Sequence, residues 1–199
     1  MIVEFGFPTD VWEIIPRSFP TVDGTSEEAW RERLIAAYVA SVGEQDGQTR
    51  EIVSALAAKI RQQISPLDVA TVLFRPVSLP VTAVVHIQLF DGDGFDTRAA
   101  IATAMVPEIP FALPPAVQPF VSENLGEGTK AAFIGAETFP DGTSAGGLSY
   151  AFSAAGQVVT IQSSPARLDV VGIMEQHLDA LVLTVKLAEG VVSGVEQVS

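Results

Sequence analysis

Residues 146–185 read "GGLSYAFSAAGQVVTIQSSPARLDVVGIMEQHLDALVLTV". Two hydrophobic periods meet inside this stretch. Leu148, Tyr150 and Phe152 alternate with Ser149, Ala151 and Ser153, the period of a half-buried strand. Ala154-Ala155-Gly156 turns the chain, and Val159 and Ile161 resume on a partner strand, so a hairpin is predicted. Beyond Ser164-Pro165 the period lengthens. Met174, Leu178, Leu181 and Val185 recur at helical spacing, while Glu175, Asp179 and Lys186 fall off that stripe. Ser164 is expected as an N-cap and Pro165 as the first residue of a helix reaching about Leu187, stopped by Gly190.

The upstream sequence adds strands and two helices. Val3, Phe5 and Phe7 alternate as a strand, Pro8-Thr9-Asp10 breaks it, and Trp12-Glu13-Ile14 follows as a second short strand; a hairpin between the two is expected. "TSEEAWRERLIAAYVASVG" opens on a capping box of Thr25 and Glu28, places Trp30, Leu34 and Tyr38 on one stripe, and ends at Gly43. A second helix, from about Thr49 to Ile64, carries Ile52, Leu56, Ile60 and Ile64, and Ser65-Pro66 stops it. Strand patterns then take over in "DVATVLFRPV", "VTAVVHIQLFDGDG" and "TKAAFIGAET". Residues 97–106 fit a strand or a short helix. Residues 107–119 hold five prolines, which remove ladder donors, so an extended loop or sheet edge is expected there.

Segregated strands and helices define an α+β fold: an antiparallel sheet with an N-terminal helix pair and a long C-terminal helix packed on it. A single domain over residues 1–190 and a frayed tail over 191–199 are expected.

The charge balance narrows the partners. Lys and Arg number 11 against 24 Asp and Glu, a formal net charge of −13. Such a surface repels polyanions, so nucleic acid is not an expected partner. Cysteine is absent, which excludes disulfides, thiolate metal sites and thiol chemistry. The opening "MIVEFGFPTD" has an early Glu4 and no basic stretch, and no apolar run reaches about 18 residues. A cytoplasmic protein without a membrane span is expected, with another protein as its partner.

Residues 142–146, Gly-Thr-Ser-Ala-Gly, spell GxSxG, and Asp169 and His177 follow in the order of a hydrolase triad. A nucleophile elbow needs a strand before its serine and a helix after it. Here Phe139-Pro140-Asp141-Gly142 signals a turn before Ser144, and a strand follows. Asp169 and His177 lie eight apart on one predicted helix, about 12 Å along its axis, too far to hydrogen-bond. Ser144 is therefore expected in a turn, and a serine hydrolase using it rests on this string alone. His86 and His177 have no second ligand at metal spacing on their own elements, so structural roles and no metal site are expected. Asp91, Asp93 and Asp96 resemble the start of a calcium loop, but Phe95 and Ala102 stand where its later ligands belong. No phosphate-cradling or dinucleotide motif occurs, and no cofactor is expected.

The opening "VEFGFPTDVWEII" and the final hairpin, Ser-Ser-Pro stop and closing helix resemble the two ends of PsbP/Mog1-like domains. The resemblance implies an α+β binding or assembly module, of bacterial type and without a shared catalytic set. A helix-grip fold has a similar element order. It would enclose an apolar cavity, for which Phe90, Tyr150, Phe152 and Met174 are the candidate lining. The expected function is accordingly a non-catalytic binding or assembly module, with a carrier or enzyme for a small apolar ligand as the alternative.

Overall fold

The computed structural model describes residues 1–42, 47–92 and 109–189. In chain order its elements are β1 (Ile2–Glu4), β2 (Trp12–Ile14), α1 (Glu27–Val42), α2 (Gly47–Gln62), β3 (Asp68–Phe74), β4 (Ala83–Asp91), β5 (Phe111–Ser122), β6 (Gly126–Thr138), β7 (Ser144–Ala154), β8 (Gln157–Ser163), β9 (Ala166–Arg167), α3 (Leu168–Thr184) and β10 (Lys186–Ala188). The large sheet is antiparallel, in the order β2-β3-β4-β8-β7-β6-β5, with β9 added against β7. The fold class is thus α+β.

The alternation read from the sequence sorts side chains onto two faces. Val72, Val85, Ile87, Tyr150 and Ile161 turn to one face and bury against Met174, Leu178, Leu181 and Val182 of α3. Leu73 and Val84 turn the other way and pack with Trp30, Leu34 and Ile35 of α1 and with Val53, Ala57 and Ile60 of α2. The β3–β4 part of the sheet therefore has helices on both sides. The β7–β8 hairpin turns through Ala155 (φ 51°) and Gly156 (φ 73°), two successive left-handed residues whose twist suits a two-residue loop. β5 is an edge strand, and its Pro114, Pro115 and Pro119 are compatible with that place because an edge leaves half its donors unused.

One charged group is buried between sheet and helix. The Lys130 side chain on β6 is 5% exposed. Its Nζ lies 2.7 Å from Glu175 Oε1 and 2.8 Å from Asp179 Oδ1, both on α3. Tyr150 Oη donates to the same Asp179 oxygen at 2.6 Å. Burial alone would lower the Lys130 ammonium, but the hydrogen bonds to Asp179 and Glu175 hold it above the ordinary lysine value.

Several expectations need correction. β1 does not form a hairpin with β2; it pairs β10, with Ile2 opposite Ala188. The Pro8 carbonyl accepts the Val11 and Trp12 N–H groups, and this turn carries β2 away to pair β3, where the Trp12 ring meets Phe74 at 5.1 Å. Helix α1 is capped by Ser26, whose hydroxyl accepts the Ala29 N–H at 3.1 Å, one residue later than the expected Thr25. Ser164 is not an N-cap. Its N–H is bound to the Val84 carbonyl at 2.8 Å, β9 intervenes, and α3 starts at Leu168 after Arg167, which gives no side-chain cap. α3 ends at Thr184 rather than Leu187, because Lys186–Ala188 extend to pair β1. Gly43, residues 97–106, Asp93, Asp96, Gly190 and the tail 191–199 lie outside the described residues. Among the described residues no helix is long and apolar enough to cross a membrane.

Candidate functional site

Asp68 follows the Ser65-Pro66 stop of α2 and begins β3. Its N–H donates to the Ser65 carbonyl at 3.1 Å, and its Oδ2 accepts the Ser65 N–H at 2.9 Å, which closes the turn. The register then sets Asp68 opposite Gln88 and Thr71 opposite His86 on β4. On the other side of β4, Val85 stands opposite Ser163, so Ser164 leaves the sheet beside His86.

This pairing joins three side chains far apart in sequence. His86 Nδ1 lies 2.7 Å from Asp68 Oδ2, and His86 Nε2 lies 2.9 Å from Ser164 Oγ. Exposure falls along the row: Ser164 is half-buried, the His86 side chain is 14% exposed, and the Asp68 side chain is 0% exposed. Asp68 Oδ2 also accepts Thr71 Oγ1 at 2.9 Å, and Oδ1 accepts Gln88 Nε2 at 2.9 Å. Burial pushes the Asp68 carboxyl up, but the hydrogen bonds from His86, Gln88 and the Ser65 N–H outweigh it and hold the group below the usual aspartate value. An ionised carboxylate only accepts, so the proton of a neutral His86 belongs on Nδ1. Nε2 is then an acceptor facing the Ser164 hydroxyl. Gln63, the residue after α2, offers Oε1 as a second, longer acceptor for the same hydroxyl at 3.3 Å.

Ser164 lines a groove of about 260 Å³ between α2, the β3–β4 strands and the link from β8 to α3. Asp68 and His86 stand behind it. Leu56, Ile60, Leu73, Val84 and Val170 make the apolar walls. Among the described residues the charged lining groups are Lys59 and Arg167, with no carboxylate, on a chain where acids outnumber bases 24 to 11. Arg167 is shared with Asp141 at 2.9 Å and Asp169 at 3.2 Å. Among the described residues Lys59 has no ion pair. A wider depression of about 560 Å³ lies between Phe7, Pro8 and Asp10 and Leu181 and Thr184 of α3, with Asp10 as its ionisable lining group among the described residues.

The residues singled out from sequence fall elsewhere. Ser144 begins β7 opposite Thr138, Asp169 binds Arg167, and the His177 ring sits 5.6 Å from that of Phe74. No hydrogen bond joins the three among the described residues. The glycines of the GxSxG string serve the backbone. Gly142 has φ 80°, and a Cβ on Gly146 would come within 2.7 Å of the Phe133 carbonyl oxygen. Tyr150, Phe152 and Met174 come together in the packed core, whereas Phe90 is half-buried and its strand alternation puts it on the opposite face. None of the four lines the groove. No group of three or more His, Cys, Asp or Glu among the described residues could hold a metal ion.

The sequence by itself places His86 on a polar strand face with Gln88, but it leaves Asp68 unmarked and presents Ser164 as a helix cap. The available signal is an aspartate at the start of a β-branched strand, followed by a strand that carries a histidine. Only the register turns it into a contact. Compared with protein-family models, curated proteins and solved structures, the chain gives no match.

Proposed function

We propose that the protein is a binding module for a small aliphatic carboxylic acid, held in the groove beside Ser164. One observation carries this reading: an apolar groove of about 260 Å³ whose charged lining, among the described residues, is cationic, on a strongly acidic chain. The volume lies just below the range of about 300–1,000 Å³ for drug-sized ligands, which favours a short aliphatic body. Lys59 supplies the countercharge for the carboxylate.

Titration of the protein with butyrate and hexanoate, followed by methyl NMR, tests it. Shifts are expected at Leu56, Ile60, Leu73, Val84 and Val170, and Lys59→Glu is expected to weaken binding about fivefold, the worth of one partly exposed charge pair. Unmoved groove methyls at millimolar acid, or shifts confined to the Phe7–Leu181 depression, would overturn the reading.

An assembly module with a protein partner is the second reading. It draws support from edge strand β5, where Val117 and Val121 are 51% and 64% exposed, and its partner would be a second copy of the chain. The three prolines on that edge weigh against it, since they block continuous strand pairing. Sedimentation that stays monomeric at high protein concentration would remove it. Kinship with PsbP/Mog1-like domains belongs to this proposal as well, supported by the final hairpin and closing helix.

A further inference from the structure

We infer that Ser164 is an activated nucleophile, with His86 as its base and Asp68 as the group that orients the base, and that the site cleaves esters or thioesters of short aliphatic acids. The inference rests on the groove reading, because the acid held there is the product such a cleavage would leave.

The geometry meets four requirements of this chemistry in turn. A serine nucleophile needs a base within about 2.6–3.2 Å, and His86 Nε2 is at 2.9 Å. The base needs a partner that fixes its tautomer, and Asp68 Oδ2 is 2.7 Å from Nδ1. That partner must stay ionised, and four donors, from Ser65 N, Thr71, His86 and Gln88, converge on its buried carboxylate. The acyl chain needs an apolar seat beside the nucleophile, which the groove supplies. Such a constellation is recognised by geometry and roles, and it recurs on unrelated folds in different chain orders.

The step balances without a further oxidant or reductant. Ser164 Oγ attacks the carbonyl carbon as its proton passes to His86 Nε2. The bond from that carbon to the leaving oxygen or sulfur then breaks, and the leaving group takes the proton from Nε2. The acyl group remains as an ester on Ser164. Water attacks this ester, gives one proton to Nε2, and releases the carboxylic acid, while Ser164 recovers its proton from Nε2. The Ser164 N–H is committed to Val84 and Pro165 has none, so the backbone of these two residues offers the oxyanion no donor. Gln63 and Lys59 line the same groove; Gln63 Oε1 is the atom now 3.3 Å from Ser164 Oγ, so a rotation of its amide would bring Nε2 there as a donor to the oxyanion.

The test uses a fluorophosphonate probe and p-nitrophenyl butyrate on the purified chain, with peptide mapping of the label. Wild type is expected to label at Ser164 and to turn over the ester. Ser164→Ala should abolish labelling, His86→Gln should slow both reactions by about 10²–10⁴-fold, and Ser144→Ala should change neither. Gln63→Ala should lower kcat with KM unchanged. Asp68→Asn should change the pH profile of turnover as well as its size, an effect that lost packing alone would not produce. Ser164→Cys, labelled by iodoacetamide in place of the fluorophosphonate, keeps the test open should Ser164→Ala fold poorly; an inert thiol there counts against the inference. A folded wild type that takes no label, or takes it at another serine, overturns it. Groove methyls that shift with butyrate while nothing labels would leave the binding reading standing and remove the nucleophile. A label on Ser164 that butyrate neither slows nor competes with would establish the nucleophile and remove the groove ligand.

Discussion

Replacing Lys130 by methionine removes a charge from the interface between β6 and α3 and strands two carboxylates that now share it. Deleting one partner of a fully buried pair costs about 3–5 kcal/mol. Here the ammonium is 5% exposed, but Glu175 and Asp179 are 45% and 33% exposed, so water recovers part of their solvation. We expect a loss of about 2–3 kcal/mol after that discount. For a chain of this length the thermal midpoint should fall by about 5–10 °C, read by calorimetry or circular dichroism. Because the damage is a stranded charge, Lys130→Met with Glu175→Leu, which leaves Asp179 to accept Tyr150 Oη, should regain part of the loss instead of adding to it. The same cluster sets the alkaline limit. Burial, then the hydrogen bond to Asp179, pushes the Tyr150 phenol far up, so the folded chain keeps that proton where an unfolded tyrosine loses it, near pH ~10. The unfolded state then binds fewer protons, and stability falls as pH rises. Lys130, also raised, acts in the same direction. Wild type should therefore lose stability above pH ~10 more steeply than Tyr150→Phe. A Lys130→Met protein within about 0.5 kcal/mol of wild type, or a double variant no better than the sum of its parts, would refute this reasoning.

Two further outcomes follow from the same fold. The folded-state Asp68 carboxyl is held down, so its contribution is present above the unfolded value of about 3.9 and is lost as pH falls through the folded one; Asp68→Asn should cost about 1–3 kcal/mol at neutral pH and flatten the acid limb of a stability–pH curve. Gly146→Ala drives a methyl to 2.5 Å from Leu168 Cδ2 and 2.7 Å from the Phe133 carbonyl oxygen, and urea unfolding should show a loss of about 1–3 kcal/mol.

Elements whose signals are local are legible in the sequence itself. The β7–β8 hairpin shows in its alternation and turn, and the last helix in its Met174-Leu178-Leu181 stripe, because each period is written within a dozen residues. The proline content of β5 marks an edge for an equally local reason. Partner choice is not legible. Three alternating residues fit any open edge, so β1 looks like half of a hairpin and in fact joins β10. The site is hidden for the same cause. His86 is a histidine on a polar face, Asp68 opens an apolar strand, and Ser164 precedes a proline like a helix cap. What unites them is the pairing of Thr71 with His86 and of Val85 with Ser163, and no spacing along the chain encodes it. The GxSxG string misleads in the opposite way, as its letters are local and its geometry is absent.

The pairing of Ile2–Glu4 with Lys186–Ala188 has a consequence for how the protein is made. Synthesis runs from the N-terminal side, so β1 leaves the ribosome well before β10, its ladder partner among the described residues. Phe5 and Phe7, buried in the finished molecule beside α3 residues, leave the ribosome with nothing to cover them. Until β10 has been made this segment is an unclaimed apolar strand, open to chaperones and to neighbouring nascent chains. Its attachment, fastened by Thr184 Oγ1 to the Gly6 backbone at 2.8 and 3.1 Å, has to wait for α3 and β10.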